Sequence, residues 1–242
     1  MSKLDDYLSA NSGRFEEELC ELLRIPSVSA DSKHKEDVRR AANWVLQQFK
    51  SLGLTTELIE TAGHPLVYAE SPPVQGAPTV LVYGHYDVQP ADPLNLWKSP
   101  PFEPTRRDGN LYARGATDDK GQMFTHIKST EAWLKTIGKL PLRLKFLIEG
   151  EEEVGSEHLD DFIAKQVEKL RSDVAVISDC SQFGPGLPAI TYGLRGLAYF
   201  EVRLSGPKQD LPTSRWIHHY PVSTSGARGT LFILRLIASS LG

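Results

Sequence analysis

Cysteine is scarce in this chain. Cys20 and Cys180 are the only two among 242 residues, and they form none of the paired spacings that hold zinc. A reducing, cytoplasmic setting is the expectation, and any metal ion would have to be held by His, Asp and Glu. No apolar run approaches the length of a bilayer span. The opening stretch MSKLDDYLSANSGRFEEEL is charged where a signal peptide carries its apolar core. A basic block is missing too, and with a formal net charge of -4 this argues against nucleic acid as a main partner. No internal repeat is visible.

What remains is the composition of an ordinary soluble globular protein, 40% hydrophobic and 24% charged, able to bury a core as one large domain or one domain plus part of a second. Phe15, Leu19, Leu22 and Leu23 recur at helical spacing and stop before Pro26, which predicts a helix from the teens to Arg24. A second helix is expected from Lys35 to Leu52, with Val38, Ala42, Val45, Leu46 and Phe49 inward and Gly53 as its stop. Strands are expected at Thr55–Ile59, Leu66–Ala69, Thr79–Tyr83, Arg143–Ile148 and Val174–Ser178, with a hairpin around Asp108-Gly109. Helices are expected at Lys120–Ile137, with Met123, Ile127, Trp133, Leu134 and Ile137 inward, and at Glu157–Arg171. Strands alternating with helices predict an α/β fold: a mixed, mostly parallel sheet flanked by helices. After Ala189 the texture changes. A Gly-bracketed joint at Gly193–Gly196 is the expected domain boundary, followed by a long alternating strand and, near the end, an apolar helix in LFILRLIASSLG.

In sheets of this kind ligand groups gather beyond the carboxyl ends of the strands. TVLVY is followed by Gly84-His85-Tyr86-Asp87, RLKFLI by Glu149, Glu151, Glu152 and Glu153, and VAVIS by Asp179. Asp118 and Asp119 occupy a Gly-flanked loop that opens a helix. Taken singly, each piece has an ordinary reading. His85-x-Asp87 is a common tripeptide, Asp118-Asp119 suits a helix N-cap, and the Glu run could be a solvated loop before a helix starting near Ser156. Together they put one His and several carboxylates at one sheet edge, where their mutual repulsion calls for cations. One His with carboxylates suits zinc, with manganese or cobalt possible. His34, His64, His126 and His158 fall away from the strand ends and read as structural or surface residues, and Glu149 and Glu151 as ordinary acids, Glu151 solvated.

The ordered motifs GHYDVQP, YARGATDDKG, EGEEEVGSE, ISD and ITYGLRG resemble the di-zinc aminoacylase and carboxypeptidase family of metallopeptidases, and within it the carnosinase and cytosolic non-specific dipeptidase branch. The resemblance runs to about Leu211. It implies hydrolysis of short peptides by a water bridging two zinc ions. In that scheme His85 would ligate one ion, with Asp87 orienting its ring. Asp118 would bridge both ions, with a cis peptide after it. Glu152 would be the general base, and Glu153 and Asp179 would complete the ligand set. Alternatives within the same resemblance are an N-acyl amino acid deacylase and a catalytically impaired, truncated product.

Departures from the family pattern are also expected. A further His ligand and most of a lid, through which the family often forms homodimers, are not found in these residues. Residues 1–194 are thus expected to be an incomplete catalytic domain, and 195–242 the start of an atypical, truncated lid. The family's Asp-Leu-His-Ser-Gly is replaced by Asp210-Leu211-Pro212-Thr213-Ser214, and His218 and His219 are expected in an unrelated loop. The stretch Pro212–Thr230 predicts a local shift of reading frame. An unpaired edge at Gly196–Gly206 is a further expectation.

Overall fold

A computed structural model describes residues 2–193, apart from 185 and 188, together with residue 196. The strand and terminal helix expected after the joint, the edge at Gly196–Gly206, and His218 and His219 lie outside these residues. The chain divides into two compact units, Met1–Ala189 and Ile190–Gly242, and the sheets and helices of the described residues belong to the first.

Five strands form its main sheet: β1 (Thr55–Ile59), β2 (Leu66–Glu70), β3 (Thr79–His85), β6 (Arg143–Glu149) and β7 (Val174–Ile177), in the order β1-β2-β6-β3-β7. β2 pairs antiparallel with both β1 and β6, whereas β3 pairs parallel with β6 and β7. Four of the five strands therefore run the same way, as expected. A two-stranded hairpin, β4 (Thr105–Arg107) and β5 (Asn110–Tyr112), turns through Asp108-Gly109, where both residues have positive φ.

Strand alternation sends side chains to two cores. Val67, Ala69, Val82, Phe146 and Ile148 pack on one face with α2 (Lys35–Ser51) and α3 (Lys120–Ile137). Leu66, Tyr68 and Leu147 pack on the other with α4 (Leu159–Lys165) and α5 (Val167–Leu170). The chain leaves β3, crosses the first face through α3 to β6, then crosses the opposite face through α4 and α5 to β7. β3 is thus flanked by strands reached over opposite faces, the arrangement that opens a crevice at the carboxyl ends. α2 follows its apolar period closely: Val38, Ala41, Ala42, Val45, Leu46 and Phe49 are all buried, and Phe49 stacks on Phe146 with centroids 4.6 Å apart.

Three expectations need correction. α1 spans Lys3–Leu23 and starts a dozen residues before its apolar period does. Its start is set by a capping box, in which the Ser2 hydroxyl accepts the Asp5 N–H and the Asp5 carboxylate accepts the Ser2 N–H. Only Leu22 and Leu23 of this helix are fully buried, so periodicity had nothing to mark its first half. Ile137 is 44% exposed rather than inward. The helix expected over Glu157–Arg171 begins only at Leu159 and breaks at Gln166, whose φ of −120° and ψ of 27° leave the helical region. Among the described residues no helix is long and apolar enough to cross a membrane.

α1 is clamped to α3 by charge. The Glu131 carboxylate, on a residue only 5% exposed, accepts from Arg14, from Lys128 (2.9 Å) and from Tyr7 (2.9 Å). Burial pushes its pKa up, but those donors outweigh burial and hold it at about 2. A carboxyl lowered on folding stabilises the native state above its unfolded pKa and loses that contribution as pH falls. Glu131→Gln should therefore lower Tm at neutral pH. The gap from wild type should close as pH falls from about 4.5 towards about 2, followed by thermal unfolding across that range.

Candidate metal centre

Three parallel strands set the height of the site. β3 runs two residues further than its apolar core, so that His85 pairs in register with Glu149 at the end of β6. β7 ends at Ile177 opposite Tyr83, and Asp179, two residues on, arrives level with His85. Asp118 enters from the loop before α3, and its peptide to Asp119 is cis, in agreement with the resemblance. Gly84 makes this approach possible: a Cβ there would lie 2.7 Å from the Asp119 carboxylate and 3.2 Å from Met123.

The residues singled out in the sequence are brought together. The His85 imidazole is fully buried, and its Nε2 lies 3.2 Å from Asp118 Oδ1, 3.6 Å from Asp179 Oδ2 and 4.0 Å from Glu152 Oε2. Two groups of potential ligands share this residue: His85 with Asp118 and Glu153, and His85 with Glu152 and Asp179. In each the donor atoms lie within 4.8 Å of one another. Nε2 is buried without a hydrogen-bond partner, a costly state for a ring nitrogen unless something else takes its place. Two ligands of a tetrahedral zinc stand about 3.4 Å apart. The separations from His85 to Asp118 and Asp179 match that figure, and the one to Glu152 is longer. The donor set therefore fits a divalent ion.

The other side of the imidazole is fixed by Asp87, which is also fully buried. Its backbone carbonyl lies 3.1 Å and its Oδ1 3.3 Å from His85 Nδ1. Asp87 Oδ2 accepts from the Ser29 hydroxyl at 2.6 Å and from the Glu153 N–H at 3.1 Å, so one carboxylate ties the ring to the loop carrying Glu152 and Glu153. The Glu153 carboxylate is held in turn by the Gln89 N–H (3.2 Å) and side-chain amide (2.6 Å).

Crowding of acids shows in the titration behaviour. Burial lowers the His85 pKa, but Asp87, Asp119 and Glu152 outweigh it and push it up to about 10. Burial raises Glu152 and Glu153 above the ordinary carboxyl range, with neighbouring acids adding to the rise. Burial also lifts Asp119 to about 7, although its Oδ2 accepts the His85 N–H at 3.1 Å. The cluster stabilises positive charge at its centre, as a cation would supply.

Some neighbours of the site differ from expectation. Glu151 is not solvated but 7% exposed. It accepts from the His64 N–H and pairs with His158 Nδ1 at 2.8 Å, and a Cβ on Gly63 would collide with it. Ser156 opens no helix; it has a φ of 52° and donates to the buried Glu149 carboxylate at 2.9 Å. His126 is not remote from the strand ends: its Nε2 lies 2.6 Å from the Ser178 hydroxyl, next to Asp179. Each partner sits on a different element, so no local pattern announced these contacts. Beside Asp118 opens a groove of about 750 Å³ lined among others by Trp97, Lys98, Arg107, Tyr112 and Arg114.

Residues 81–231 match the family described as Peptidase family M20/M25/M40. The chain is 35% identical to the Cys-Gly metallodipeptidase dug1 of Schizosaccharomyces pombe over 224 residues, covering 87% of this chain and 47% of that protein. It is 37% identical to the Beta-Ala-His dipeptidase of Homo sapiens over 209 residues, covering 84% of this chain and 40% of the relative. The crystal structure of human carnosine dipeptidase 1 superimposes with a TM-score of 0.70 at 30% identity, over 74% of this chain and 42% of that one. The chain thus spans about half the length of the curated relatives it matches.

Proposed function

Since the chain belongs to peptidase family M20/M25/M40, we propose that it serves metal-dependent hydrolysis of short peptides, in the manner of a dipeptidase. The observation that carries this reading is the convergence of His85, Asp118, Glu152, Glu153 and Asp179 around one buried, unpartnered imidazole nitrogen. The activities for which the relatives are named, on Cys-Gly and on Beta-Ala-His, supply the substrate class. In this reading residues 1–194 belong to the catalytic domain and 195–242 begin the lid.

We assign His85, Asp118, Glu153 and Asp179 as ligands of two divalent ions, with zinc the metal that one His and several carboxylates favour. Bound ions would supply the acidity that makes water a nucleophile near neutral pH and would polarise the scissile carbonyl. The remaining work falls to side chains. Asp87 holds the imidazole through Nδ1 so that Nε2 faces Asp118 and Asp179. Glu152 is the general base that accepts the proton from the attacking water. Burial raises its pKa, which brings its basicity closer to neutral working pH. Lys98, Arg107 and Arg114 give the groove beside Asp118 a positive lining suited to the carboxylate of a short peptide.

The test is a hydrolysis assay on the full chain reconstituted with zinc, manganese or cobalt, using dipeptides and N-acetyl amino acids in parallel. Dipeptide turnover abolished by a chelator and restored by metal is the expected result. Turnover confined to the N-acetyl compounds would move the assignment to a deacylase. Hydrolysis of neither would sink the proposal.

A further inference from the structure

Of the acids around His85, Asp179 is the one that leaves an edge of the sheet. It follows β7, an edge strand whose only partner among the described residues is β3, and the pairing stops at Ile177. No side chain or backbone N–H among the described residues donates a hydrogen bond to its carboxylate. Asp118 and Glu152 share this lack among the described residues, whereas Glu153 and Asp87 are each held by named donors. Beyond Ile177 nothing in the sheet fixes the direction in which Asp179 leaves it. Two contacts do: a local turn, in which the Cys180 N–H donates to the Ser178 carbonyl at 2.8 Å, and the hydrogen bond between His126 Nε2 and the Ser178 hydroxyl, 2.6 Å long, which joins the segment to an element 52 residues away in sequence.

His126 lies on α3, the helix that Asp118-Asp119 opens, and the same helix packs Met123 and Ile127 into the core beneath β3. It is therefore a rigid platform whose start carries one acid of the cluster and whose second turn reaches the segment carrying another. We propose that His126 is a positioning residue: through Ser178 it fixes the segment that presents Asp179 to His85, and so sets the affinity of the centre for a divalent ion. The inference rests on the proposed metal centre for its consequence, and on the hydrogen bond alone for the ordering of residues 178–180. Gln is the conservative replacement, since its amide nitrogen stands at about the reach of Nε2 along the side chain; Leu keeps the bulk and removes the bond.

Two measurements on the full chain test it. Zinc affinity, read by competition with a chromophoric chelator, should fall about 10- to 100-fold in His126→Leu and in Ser178→Ala, the range typical of groups that orient metal ligands. His126→Gln should stay within about threefold of wild type. The double variant His126→Leu/Ser178→Ala should lose no more than either single change, because both remove one interaction. Hydrogen exchange of the metal-free protein over residues 174–182 should quicken in His126→Leu and not in His126→Gln. Unchanged zinc affinity and exchange in His126→Leu would overturn the proposal, as would equal losses in the Leu and Gln variants. If the wild type binds no zinc, the metal reading and the effect on affinity fall together. The exchange data would then still decide whether His126 orders the segment.

Discussion

Glu152→Gln should reduce kcat for dipeptide hydrolysis by about 10²- to 10⁴-fold while leaving bound metal unchanged, measured as turnover and metal content on the same preparation. The substitution keeps the size of the side chain and removes only its ability to accept a proton. Geometry makes the outcome discriminating. Glu152 belongs to one of the two groups whose donor atoms come close enough to share an ion, together with His85 and Asp179. Its carboxylate nevertheless stands 4.0 Å from His85 Nε2, further than the two aspartates and beyond the usual spacing of tetrahedral ligands. A ligand at this position would make Glu152→Gln lose metal along with activity. A base would lose activity alone.

His85→Gln should abolish the stabilisation that divalent metal gives to the folded chain. A ligand that binds only the native state at a hundred times its Kd adds about 2.7 kcal/mol, so zinc should raise the Tm of wild type measurably. His85 is shared by both candidate ligand groups, so its replacement removes a donor from each. The imidazole is also fully buried against Asp87, and its loss leaves that carboxylate with poorer compensation inside the protein. A lower Tm of the metal-free variant is therefore expected too, and Asp179→Asn separates the two effects. Asp179 is partly exposed at the sheet edge, and its change to Asn should spare the metal-free Tm while still shrinking the shift caused by zinc. A zinc-induced shift in both variants equal to that of wild type would count against these residues as ligands.

Much of this arrangement was legible because the chain announces it by contrast. An apolar run that ends abruptly in His85 or Glu149 marks a strand leaving the core, the apolar run before Asp179 forms an exposed edge strand, and parallel strands carry all three ends to one edge. The start of α3 at Lys120 was legible for a similar reason, since glycines and paired acids precede a long apolar period. What escaped was set by contacts between distant elements. The first half of α1 buries little and is held by a capping box at Ser2, so its apolar period begins only later. Glu151 belongs to a run that reads as solvent-facing, yet its partners are the Gly63–His64 loop and His158, which enclose it. His126 sits at an unremarkable place on a helix, and its contact with Ser178 exists only because β7 lies beside β3. Side-chain period tells which face a residue occupies, and not which distant atom meets it there.

A calorimetric titration of the full, metal-stripped chain with zinc decides whether His85 and its acids form a metal centre. Saturable binding is expected, lost in His85→Gln and kept in Glu152→Gln. A wild type that takes up no zinc, or a His85→Gln variant that binds it equally well, would mean that these residues form no such centre.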